Sequence, residues 1–175
     1  MQLEHYLFIE KLNDDIKHKI KKNKKVNIIY LNELWDKTKL LILNEIKNYC
    51  KKHKINFFII NNLSIATKFK ANGIFITSAN RSVLFSSPLK KGFKIIGSCH
   101  NQLEYFKKLQ QKCEIVTLSP IFYTEKYSKN KIMGLIKFNL VSLGWKTKLC
   151  ALGGVKNYNI KKVFLTRAQS VGYKI

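Results

Sequence analysis

The stretch KIIGSCHNQLEYFKKLQQKCEIVTLS, residues 94–119, decides the fold. It begins and ends with short apolar runs, 94–98 and 114–119, that lack polar alternation. Strands buried on both faces read this way. Between them, Asn101-Gln102-Leu103-Glu104 has the spacing of a helix capping box, with Asn in place of Ser or Thr. Strand, helix and strand so closely spaced make a βαβ unit, and that unit pairs its strands in parallel.

The same alternation extends in both directions. Further apolar runs lie at 6–9, 26–31, 56–60, 73–77, 148–152 and 169–173, which predicts eight strands in all. Helix punctuation falls between them. Asn13-Asp14-Asp15 opens a segment ending in Lys19, Lys21 and Lys22, acids first and bases last as the helix dipole prefers. Leu40, Leu41, Leu43, Ile46 and Cys50 form a helical stripe, as do Ile132, Leu135, Ile136 and Leu140 before Gly144. Ser87-Pro88 offers a cap with proline at the first helical position, and Asn157 a cap for a last short helix. Eight strands alternating with helices predict a compact (β/α)8 barrel over residues 1–175, ending at strand eight. Such barrels usually take about 250 residues, so an open doubly wound sheet with fewer strands is the alternative.

Composition narrows the function. Lys and Arg number 33 against 10 Asp and Glu, a net charge of +23. Nucleic acid is the usual partner of such a charge. Yet the only arginines are Arg81 and Arg167, and base-reading proteins depend on arginine forks. Lys, Asn and Ile are over-used together, as an A/T-rich genome would produce, and the lysines run from Lys11 to Lys174. These points argue against nucleic acid and leave the charge to concentrate phosphorylated small molecules near the surface. No apolar run reaches the ~20 residues of a membrane span. The acidic start and the four cysteines without a C-x-x-C pair predict a cytoplasmic protein with reduced thiols. The phenylalanines, Trp35 and Trp145 are read as core.

A barrel places its chemistry at the carboxyl ends of its strands. Those ends read Asn61-Asn62, Thr77-Ser78-Ala79-Asn80, Ser98-Cys99-His100-Asn101, Ser119 to Thr124, and Gly153-Gly154. Turns need such residues in any case, but their recurrence after successive strands predicts a ring of neutral hydrogen-bonding groups. Gly153-Gly154 would let backbone N–H groups approach an anion. Cys99 is expected to pack outward and stay inert; His100 shares the Ser98 face, where a cap or surface role is favoured over service as an acid or base.

These same residues resemble the thiamine phosphate synthase/TenI family. Residues 94–101 with Glu104, residues 116–124, Leu135, and Ala151-Leu152-Gly153-Gly154-Val155 occur in that family's order. Residues 58–62 and 72–76 are similar to two further segments of it. The resemblance implies a (β/α)8 barrel. It also implies a transferase, if active, that joins a hydroxymethylpyrimidine diphosphate to a thiazole phosphate with Mg²⁺ and displaces pyrophosphate. By position, Asn61 and Ser98 would contact the pyrimidine diphosphate, and Thr124, Gly153 and Gly154 the thiazole phosphate.

The chain also departs from the pattern. Asn62 and Asn80 stand where the family's Mg²⁺-binding aspartates fall, and the only aspartates are Asp14, Asp15 and Asp36. An amide oxygen can ligate Mg²⁺, so the ion stays open, but two neutral ligands lack the charge that makes it worth dehydrating and no cofactor is assigned. Tyr30-Leu31-Asn32-Glu33 replaces the family's Q-L-R-x-K; Lys126 and Lys129 lie near the place of a further lysine; Pro120 replaces the tautomerase histidine. Strand eight runs straight to Lys174-Ile175, so half of the family's phosphate cup is expected to be absent or replaced by the Lys174 ammonium. Two functions remain open beside each other: a divergent synthase of thiamine biosynthesis, and a non-catalytic barrel binding a thiamine-related phosphate or a partner enzyme. A basic nucleic-acid-binding domain is the third.

Overall fold

The computed structural model describes residues 2–23, 25–82, 90–125 and 127–174. Eight strands, β1 (Glu4–Ile9), β2 (Val26–Tyr30), β3 (Asn56–Ile60), β4 (Gly73–Ile76), β5 (Lys94–Cys99), β6 (Ile115–Leu118), β7 (Lys148–Ala151) and β8 (Ser170–Lys174), close into a barrel in sequence order. Every neighbouring pair is parallel, and β8 returns to β1 through Glu4↔Ser170 to Phe8↔Lys174. The barrel reading is correct, and the open sheet is excluded by that closing pair.

Alternation along each strand builds two layers of core. Tyr6, Phe8, Ile29, Phe58, Ile60, Phe75, Ile96, Ile115 and Cys150 fill the interior as one cluster. Their strand neighbours, such as Leu7, Ile28, Ile59, Ile95 and Val116, point outward into a second cluster shared with the helices. Both faces are buried, so the strands had to be continuously apolar.

The described helices are α1 (Asp14–Lys22), α2 (Lys37–His53), α3 (Leu63–Lys68), α4 (Gln102–Gln110), α5 (Gly134–Val141) and α6 (Ile160–Val163). Asn13 caps α1 by accepting from the Ile16 N–H, and Asn101 caps α4 by accepting from the Glu104 N–H. Glu104 completes the α4 box one residue further back than expected, accepting from the His100 N–H at 2.8 Å. The expected Ser87-Pro88 cap lies outside the described residues.

Three helix readings need correction. Ile136 and Leu140 are 79% and 66% exposed, because α5 starts at Gly134 and turns Phe138 to the core instead. Leu41 is likewise exposed, while Leu43, Ile46 and Cys50 carry the α2 stripe. The residue preceding α6 is Asn159, not Asn157; its amide oxygen accepts from the Lys156 N–H and its nitrogen donates to the Gly154 carbonyl. Two phenylalanines, Phe106 and Phe164, are also exposed rather than core. Among the described residues no helix is long and apolar enough to cross a membrane.

Candidate functional site

The carboxyl ends of β3 and β4 meet through Asn61, which follows Ile60 and takes a left-handed backbone (φ 48°) that asparagine tolerates. Its side-chain oxygen accepts from the Thr77 N–H at 3.0 Å and from Asn80 Nδ2 at 3.2 Å. Its nitrogen donates to Thr77 Oγ1 at 2.9 Å and to Glu33 Oε1 at 2.5 Å. Asn61, Thr77 and Asn80 therefore form one bonded array, with Glu33 brought in from the segment after β2. Glu33 was read only as a departure from a motif, and a contact across 28 residues leaves no local signal.

The β5 end supplies Ser98, Cys99 and His100. Ser98 shares the inward face of β5 with Ile96 and stands in register with Thr117 of β6. The Thr117 hydroxyl is buried there without a hydrogen-bond partner among the described residues. Cys99 packs in the outer cluster, as expected, and burial pushes its thiol far up. His100 Nδ1 lies 2.7 Å from the Ser119 carbonyl, which can only accept. That nitrogen must carry a proton. Nε2 lies 3.3 Å from Ser78 Oγ, so the ring bridges the β4 and β6 ends.

The β6 and β7 ends pack against each other. The Ile121 and Phe122 N–H groups donate to the Leu152 and Gly153 carbonyls at 3.0 Å each. Gly153 and Gly154 have φ of 92° and 68°. A Cβ on Gly154 would lie 2.3 Å from the Tyr123 carbonyl, and one on Gly153 would lie 2.8 Å from Pro120. The glycine pair thus has a visible structural use: it lets the loop carrying Thr124 lie close to β7. Thr124 is partly exposed on that loop, and Lys126 lies outside the described residues.

Whether Mg²⁺ fits can be tested on the oxygens available. The Asn62 side-chain oxygen caps α3 by accepting from the Ile65 N–H at 2.9 Å. The Asn80 oxygen accepts from the Ser82 N–H at 3.0 Å. Both amide oxygens are committed to the backbone, and neither brings charge. Glu33 and Glu104 hold Asn61 and the His100 N–H respectively. No group of three His, Cys, Asp or Glu among the described residues could hold a metal. The donor set does not fit the ion. A cleft of about 430 Å³, lined by Leu3, Trp145, Thr147 and Arg167, lies at the opposite end of the barrel and contains none of these groups.

The fold and this mouth define a (β/α)8 barrel with a candidate small-ligand site at its carboxyl end, built of amides and hydroxyls with the Glu33 carboxylate bonded to Asn61. The sequence places it more narrowly. Residues 9–173 match the thiamine monophosphate synthase family, and the chain belongs to that family. It is 28% identical over 117 residues to the thiamine-phosphate synthase of Prochlorococcus marinus (strain AS9601), covering 66% of this chain and 33% of that protein. To that of Pelagibacter ubique (strain HTCC1062) it is 27% identical over 132 residues, covering 74% and 63%. The chain thus spans between a third and just under two thirds of these relatives. Thiamine phosphate pyrophosphorylase from Pyrococcus furiosus shares the fold, with a TM-score of 0.75 at 14% identity, covering 98% of this chain and 85% of that one.

Proposed function

We propose that the barrel mouth handles hydroxymethylpyrimidine diphosphate, thiazole phosphate or both, as a divergent thiamine phosphate synthase of thiamine biosynthesis working without a carboxylate-held Mg²⁺. The observation that carries this reading is the family match over residues 9–173, nearly the whole chain. Asn61 and Ser98 would face the pyrimidine diphosphate. Thr124 and the Gly153 and Gly154 N–H groups would face the thiazole phosphate. The chemistry such a mouth can supply is positioning of two substrates, with lysines such as Lys174 screening the departing pyrophosphate. A cytoplasmic location agrees with those substrates.

The commitment of the Asn62 and Asn80 oxygens to backbone N–H groups favours a second reading, a non-catalytic barrel that binds the same phosphates. One assay separates the two. The protein is mixed with both substrates and Mg²⁺, and thiamine phosphate is read by fluorescence after oxidation. Product above a protein-free control, lost in the Ser98→Ala/Thr124→Ala double variant, establishes the synthase. Folded protein that makes no product but binds thiazole phosphate calorimetrically establishes the binding barrel. Neither product nor binding overturns both.

A further inference from the structure

Lys108 stands in the last turn of α4 with 1% of its surface exposed, in a chain whose other lysines mostly face water. Its stem crosses the outer face of β5 at Gly97, where an added Cβ would come within 2.7 Å of both Lys108 Cδ and Cys113 Sγ. The missing side chain at Gly97 makes the channel this stem follows. At its end the ammonium donates to the Thr77 carbonyl at 2.7 Å, the Asn80 carbonyl at 3.1 Å and Gln111 Oε1 at 2.8 Å. Three donors meet three acceptors. Gln111, also 1% exposed, donates its amide hydrogens to the Asn80 and Ser82 carbonyls at 3.0 and 2.9 Å.

No carboxylate pairs with this ammonium among the described residues. A buried cation whose direct partners are all neutral oxygens is a costly way to fill a helix position that a leucine would fill at a gain. What the cost secures is the loop after β4. Two of the three residues in the mouth array, Thr77 and Asn80, have their carbonyls on Lys108 and meet Asn61 through the Thr77 N–H and hydroxyl and the Asn80 amide nitrogen. The same ammonium puts a positive charge beneath that loop, which favours an anion there, while the Glu33 carboxylate on Asn61 Nδ2 opposes one.

We infer that Lys108 is a positioning residue of the mouth: reaching in from α4 with Gln111, its ammonium fixes the loop after β4 and so sets the orientation of the Asn61–Thr77–Asn80 array toward an anionic ligand. The orienting role is independent of the ligand; the anion rests on the proposed function.

The test uses the full chain and inorganic pyrophosphate as probe. Side-chain amide resonances of Asn61 and Asn80 are compared between wild type, Lys108→Met, Gln111→Leu and Ile46→Val, the last a core change in α2 that lowers stability away from the mouth. Lys108→Met is expected to shift both amide pairs and weaken pyrophosphate binding about tenfold, the worth of one charged hydrogen bond. Gln111→Leu should do the same to a smaller degree, and Ile46→Val neither. Wild-type amide resonances in the folded Lys108→Met or Gln111→Leu protein would overturn the positioning role. If Lys108→Met fails to fold, Gln111→Leu decides. Should wild type bind no pyrophosphate, the proposed function loses its anion, while the resonances still decide the role of Lys108. Shifted resonances with unchanged affinity would overturn the link from the array to the ligand.

Discussion

Asn61 does two jobs with one residue, and they can be separated. Its backbone needs φ 48°, and its amide joins Glu33, Thr77 and Asn80. Asn61→Ala loses both, costing about 1–2 kcal/mol for the left-handed backbone and a similar amount for the stranded partners. Asn61→Gly keeps the backbone and loses only the amide. We expect chemical denaturation to show the glycine variant nearer wild type in stability, while phosphate-ligand affinity falls equally in both. Equal stabilities would show that the backbone is not strained. The thiols give a second prediction. Burial pushes Cys50, Cys113 and Cys150 up to about 12 and Cys99 further. The folded protein should therefore leave Ellman's reagent unreacted at pH 8, and release four equivalents in denaturant. The same shifts set a pH dependence. A group whose folded pKa is raised stabilises fully below its unfolded value, here 9.0, and loses that stability as pH climbs toward the folded value. Each thiol then removes up to ~1.4 kcal/mol per pH unit. Denaturant midpoints falling from about pH 8.5 to 10 are expected, and a flat profile would contradict the burial.

Elements were legible where both faces of the chain are buried. The run at 94–98 could be nothing but an inner strand, because each residue has to suit an apolar side. Helices were legible by existence but not by phase. Ile136 and Leu140 looked like a core stripe, yet Gly134 starts α5 such that Phe138 takes that place. Periodicity fixes a helix's apolar arc only when one face is much the more polar, and α5 is apolar nearly all round. The site divides the same way. Its positions along the chain were readable from the strand ends, but not its bonds. Lys108 is the clearest case, since its burial depends on carbonyls 28 and 31 residues upstream and on a glycine in the preceding strand. The i, i+3 spacing from buried Tyr105 would have flagged it once the phase of α4 was known. Between elements, the β7 turn carries a sharper prediction. Gly154→Ala puts a methyl 2.3 Å from the Tyr123 carbonyl at φ 68°. It should cost at least ~2 kcal/mol and push the Thr124 loop outward. Gly144→Ala, also at positive φ but in open space, pays only the backbone part and serves as the control. If the two variants melt alike, the β6 loop does not rest on the glycine pair.

At the scale of the molecule, charge acts against the fold it surrounds. A surplus of 23 positive charges on 175 residues repels itself in the compact state more than in the expanded chain. Little offsets it locally: among the described residues a single ion pair, Lys17 with Asp14 at 3.5 Å, is present, and it is exposed. Such pairs are worth well under 1 kcal/mol. The barrel must instead be held by its two apolar layers, whose contribution salt does not weaken. Screening therefore has one sign here. Raising salt from about 0.05 to 0.5 M shortens the reach of each charge from over 10 Å to about 4 Å, so the repulsion relieved exceeds the attraction lost. We expect the melting temperature to rise on the order of 5 °C across that range, with sodium chloride and sodium perchlorate agreeing at low ionic strength, where screening rather than ion identity dominates. Pyrophosphate should act beyond this general effect. If the mouth binds it, millimolar pyrophosphate at fixed ionic strength raises the melting temperature further, and Ser98→Ala/Thr124→Ala abolishes only that increment. A melting temperature that falls with salt would mean that attractive charge contacts outweigh the surplus, and the lysines would then have to be paired.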